Sequence, residues 1–80
     1  MTETAVMRGP GVRGITAPSN GAIATLANES EVRASFVDLR QPETGKEIRI
    51  PLDPLETTTV TLAPGEIDVT LGLFTRLEIA

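Results

Sequence analysis

The chain has 80 residues, a net charge of −4 and no Cys, His, Trp or Tyr. That length allows one small domain, and the acidic balance argues against a primary role on nucleic acid, which requires a basic face. Without cysteine there is no disulfide framework, and without cysteine or histidine the usual zinc ligands are missing.

Residues 1–20 read as a separate, extended Gly/Pro-rich arm. The runs Arg8-Gly-Pro-Gly-Val-Arg-Gly14 and Ala17-Pro-Ser-Asn-Gly21 hold no strand or helix period, because Gly loosens the backbone and Pro removes donors. The start of the chain has neither a basic nor an apolar signal-like region, and no window approaches a membrane span. The expectation is a cytoplasmic or virion location. Met1, Val6, Met7, Val12 and Ile15 are spaced through the arm, with Arg8 and Arg13 among them. Scattered apolar anchors on an extended peptide suit docking along a groove or a sheet edge, so these seven residues are the expected partner-docking set.

Residues 21–80 read as a domain of about six strands. Ala22–Ala27 is small and apolar. Val32–Leu39 divides its apolar residues between two faces, with Val32, Ala34 and Phe36 on one and Val37 and Leu39 on the other. A bulge near Phe36 or burial of both faces would account for that. Cleaner alternation follows: Ile48, Ile50 and Leu52, then Thr58, Val60 and Leu62, then Ile67, Val69 and Leu71. A period of two marks a half-buried strand. Turn signals separate the strands at Asn28–Ser30, Gln41–Gly45, Asp53–Glu56, Ala63–Glu66 and Leu71–Leu73. No segment shows a helical period. Strands at this spacing predict a small antiparallel sandwich or barrel.

Two pairings can be tested on the sequence. A hairpin at Pro64-Gly65 sets Leu62 against Ile67 and Val60 against Val69 on one face. A Pro-Gly pair favours a type II turn, whose twist suits hairpins poorly, so the alternative is a corner between sheets. A loop at Leu71–Leu73 sets Asp68 opposite Arg76, a favourable cross-strand pair.

The run Lys46-Glu-Ile-Arg-Ile-Pro-Leu52, followed by Thr57-Thr-Thr-Val-Thr-Leu-Ala-Pro-Gly-Glu-Ile-Asp-Val69, resembles the middle of immunoglobulin-like β-sandwich accessory modules, which often carry a Leu-x-Pro-Gly-x-aromatic-x-Val turn. Ile67 stands where that aromatic usually sits. The resemblance covers residues 21–71. It implies an immunoglobulin-like sandwich used as an adhesin, spacer, enzyme appendage or phage surface protein, with no activity and no transferable site.

Catalytic candidates are few. Ser19, Ser30 and Ser35 have no histidine to activate them, and Lys46, the sole lysine, sits beside a turn. Glu47, Glu66 and Asp68 fall on outward strand positions and read as a solubilising face. Asp38, Glu43 and Asp53 could approach a calcium ion only if their loops met, and no calcium-loop spacing is present. Asn28-Glu29-Ser30 matches a glycosylation sequon but reads as a turn. The expectation is no catalytic residue, no metal and no cofactor. The reading is a non-enzymatic structural or interaction module that docks on a larger protein assembly in multiple copies. Its most concrete form is a phage or virus-like particle surface protein that decorates capsid or tail. The alternative is an accessory β domain or small subunit of a cytoplasmic enzyme complex.

Overall fold

Eight strands make up the fold: β1 (Ala5–Arg8), β2 (Gly11–Ala17), β3 (Ala22–Asn28), β4 (Ser35–Arg40), β5 (Glu47–Leu52), β6 (Thr57–Leu62), β7 (Gly65–Leu71) and β8 (Thr75–Ile79). The computed structural model describes residues 5–79. Two four-stranded sheets form, in the orders β1-β8-β3-β6 and β2-β7-β4-β5, and every pairing is antiparallel. The all-β sandwich expected from the alternation is present, with eight strands rather than about six. The order is that of a jelly roll, a double Greek key closed as two sheets. Immunoglobulin domains wind their sandwich as ABED against CFG.

The six strands expected from residue 21 onward are β3–β8. The two additional strands come from the segment expected as a separate arm. Residues 5–8 pair with β8 and residues 11–17 pair with β7, so this segment supplies one edge of each sheet. Gly and Pro hid it. An edge strand tolerates both, because one side of its backbone has no ladder to complete.

Among the described strands only β4 and β5 form a hairpin. Each other connection carries the chain from one sheet to the other. Pro64-Gly65 is therefore a corner, as the turn chemistry allowed, and Leu62 does not face Ile67. The expected Asp68–Arg76 pair does not exist either. Asp68 stands opposite Gly14 and Arg40, while Arg76 stands opposite Arg8 and Ala27. Arg40 takes the role assigned to Arg76, with its guanidinium 3.7 Å from the Asp68 carboxylate.

The core lies between the sheets and is wholly aliphatic. Leu26, Leu52, Leu62, Leu71, Leu77, Val37 and Val69 are its largest fully buried apolar side chains. Each contributes about 1.5–3 kcal/mol through removal from water. Ile67, Val69 and Leu71 are all inside, as their alternation predicts. The two-faced run at 32–39 resolves without a bulge. The strand begins at Ser35, Val37 and Leu39 face the core, and Val32 lies outside the strand. Phe36 takes the outer face, where the Arg49 guanidinium lies 4.2 Å from its ring centre.

Candidate functional site

Four corners meet at one end of the sandwich: residues 9–10, 29–34, 53–56 and 72–74. The strand directions bring them there, and hydrogen bonds join them. Leu55 N donates to Ser30 O at 3.0 Å, Glu29 N to Phe74 O at 2.8 Å, and Gly9 N to Thr75 O at 2.9 Å. The β3–β4 loop is thus strapped on both sides by its neighbours.

A buried polar cluster fixes these loops from beneath. The Asn28 side-chain amide donates to Arg33 O at 2.7 Å and Leu52 O at 3.2 Å, and its oxygen accepts from Ser30 N at 3.0 Å. The Ser30 hydroxyl accepts from Val32 N and Arg33 N. Thr75 Oγ1 donates to Gly72 O at 2.8 Å. Asn28, Ser30 and Thr75 are all buried, and among the described residues no buried side-chain polar atom lacks a partner. A satisfied buried network rigidifies what it touches.

What this frame presents is apolar. Val32, Leu55, Leu73 and Phe74 lie on its loops, with exposures from 52% at Phe74 to 82% at Val32. Leu55 and Phe74 are held at φ of 60° and 62°, the left-handed region that bulky side chains avoid. Such strain persists only where the surroundings over-determine it, and it concentrates at functional positions. The rim is exposed and mostly acidic: Glu29, Glu31, Asp53 and Glu56 against Arg8 and Arg33. Arg8 is occupied by Glu29 at 2.6 Å.

The opposite end holds a cleft of about 420 Å³ between the β5 and β6 edges. Leu39, Ile48, Leu62 and Ile67 form its apolar walls, and Gln41, Lys46 and Glu47 stand at its mouth.

The residues expected to dock a partner are distributed differently. Met7 and Ile15 pack against the core and are half-buried. Val6, Val12 and Arg13 are exposed on strands, and Arg8 is ion-paired. Met1 lies outside the described residues. The other six are parts of two sheet edges, not a free peptide. Asp38, Glu43 and Asp53 are not brought together. Asp38 is engaged by Arg49 on the outer face of the second sheet, Glu43 lies at the cleft end and Asp53 at the loop end. Among the described residues no group of three or more potential ligands could hold a metal, and no helix is long and apolar enough to cross a membrane. The sequon asparagine is buried and fully engaged.

Alternation does not signal the apolar loop end, because Val32 reads as part of a strand and Leu55 and Leu73 fall inside turn motifs. The available signal was large apolar side chains inside turn motifs, where solvent exposure is the rule. No protein-family model, curated protein or solved structure matches the chain.

Proposed function

We propose that the chain is a non-enzymatic structural and interaction module that docks on a larger protein assembly through its apolar loop end. The observation that carries this reading is the grouping of Val32, Leu55, Leu73 and Phe74 on loops locked by Asn28, Ser30 and Thr75. Exposed apolar groups of this kind mark interaction sites. Pre-ordered loops lose little freedom on binding, so more of the contact energy appears as affinity. The acidic rim suits a partner pocket bordered by basic groups, and it disfavours anionic lipid and nucleic acid.

The concrete form is a decoration or accessory protein on a phage or virus-like particle, present in several copies. Jelly rolls occur in viral capsid domains as well as in lectins and cupins. That support is an analogy of fold, and folds are shared among unrelated functions.

Co-sedimentation with particles from the native source tests the reading. The wild-type chain should travel with a large assembly, and the double variant Val32→Asp, Phe74→Asp should remain in the supernatant while keeping its β circular dichroism. Wild-type protein that never co-sediments, or a folded double variant that still does, overturns it.

A further inference from the structure

Among the described strands four edges are open: β1 and β6 in one sheet, β2 and β5 in the other. An open edge offers unpaired amides and carbonyls to any other strand, and proteins blunt it with short length, charge, proline or glycine irregularity. β1 is only four residues long. β2 carries Gly11, Gly14 and Arg13. In β5 the backbone groups that face the free edge belong to Glu47, Arg49 and Pro51. That parity follows from the Gln41 N to Lys46 O bond that starts the β4–β5 ladder. Two of the three carry charges, and Pro51 has no amide to offer.

β6 has none of these devices. It reads Thr57-Thr-Thr-Val-Thr-Leu62, with no charge, proline or glycine. Its ladder to β3 starts from the Asn28 N to Glu56 O bond, so Thr58, Val60 and Leu62 spend their backbone groups on β3. The N–H and C=O groups of Thr57, Thr59 and Thr61 then face the free edge, and no described strand takes them. Their side chains are also the exposed ones.

We propose that β6 pairs with β6 of a second copy of this chain, antiparallel about a two-fold axis at Thr59, joining two sheets into one of eight strands. The strand is its own complement. With Thr59 opposite Thr59, Thr57 falls opposite Thr61 in both directions, and every outward pair is Thr–Thr, a favourable cross-strand match. No like charges meet, because the strand has none. On the inner face Thr58 falls opposite Val60. An isologous contact of this kind closes at two copies. The cleft opens on the same flank, so a strand added to β6 stands over its mouth and shields Ile48, which is 59% exposed in the single chain. This contact lies at the β5/β6 flank, away from the apolar loop end, and does not depend on the docking role.

Sedimentation velocity on the full chain tests it. Wild type should be a concentration-dependent dimer. Thr59→Lys and Thr59→Glu should each be monomeric, since each sets like charges opposite one another. An equimolar mixture of the two should restore the dimer as a heterodimer. Thr59→Pro should also be monomeric with unchanged circular dichroism, because the lost amide serves only the free edge. A monomeric wild type, a Thr59→Lys variant that still dimerises, or a mixture that stays monomeric overturns the proposal.

Discussion

Asp38 and Arg49 face each other across β4 and β5 in a two-pronged ion pair. Arg49 Nε lies 2.8 Å from Asp38 Oδ1, and a terminal guanidinium nitrogen lies 2.9 Å from Oδ2. They occupy a non-hydrogen-bonded position of the ladder, where opposing side chains approach most closely. The Asp38 hydrogen bonds, and then its charge, push the Arg49 guanidinium further toward its protonated form. A fork matched to a carboxylate is the strong form of this contact, and the guanidinium also covers Phe36. The Arg40–Asp68 pair has one approach, at 3.7 Å, with both partners about half exposed. Double-mutant cycles to alanine should therefore give favourable coupling for Asp38–Arg49 and little or none for Arg40–Asp68. Equal coupling in urea denaturation would contradict that ranking.

Two glycines carry the close approach of corners at the loop end. A Cβ on Gly72 would collide with Ser35 Oγ and lie 2.9 Å from Phe36 O, and a Cβ on Gly9 would collide with the Gly72 carbonyl. Gly72→Ala should destabilise by about 1–3 kcal/mol, the usual range for overpacking. That corresponds to a drop of at least ~4 °C in melting temperature for a domain of this size. An unchanged melt would show that the corner has room to shift.

Asn28 should be among the most sensitive polar positions. Asn28→Ala leaves the carbonyls of Arg33 and Leu52 and the Ser30 amide without their partner. The Ser30 amide is then buried without an acceptor, which costs about 1–3 kcal/mol, and a loss of that size is expected in chemical denaturation. Asn28→Asp keeps the acceptor for Ser30 but loses both donations, and should also destabilise. A loss under 1 kcal/mol for alanine would mean that water replaces the amide.

Leu55 and Phe74 should show the opposite behaviour. Both are more than half exposed and held in the left-handed region, where a non-glycine residue is disfavoured by roughly 1–2 kcal/mol. Replacement by glycine relieves this and adds chain entropy to the unfolded state. Phe74→Gly should thus melt at the same temperature or slightly higher, while attachment to the partner weakens. A clear fall in melting temperature would assign Phe74 a role in packing.

Much of the sandwich was legible in the chain. Ile67, Val69 and Leu71 alternate without a break and are all buried, and the six strands from β3 onward fall between the expected turns. Two things were not legible. Edge strands bury one thin stripe, so β1 and β2 show little alternation beyond Met7, Ile15 and Ala17, and their glycines mask it. Pairing partners were also hidden, because alternation says which side of a strand faces the core but not which sheet it joins. Local hairpin logic set Asp68 beside Arg76, whereas the fold sends β7 and β8 to opposite sheets. The docking residues followed the same pattern. Met7 and Ile15 looked like free anchors until distant strands received them.

The pairing of Ala5 with Ile79 governs how the molecule can come into being. During synthesis β1 emerges first and β8 last, and β2 must wait for β7. β1 therefore has no strand to pair with until β8 has left the ribosome. The β4–β5 hairpin is the one pairing that can form early at small loop-closure entropy. Long-range pairings of this kind fold slowly and leave edges open while they wait. The uncharged threonine strand β6 is then both a seam for assembly and the stretch most in need of protection on a crowded polysome.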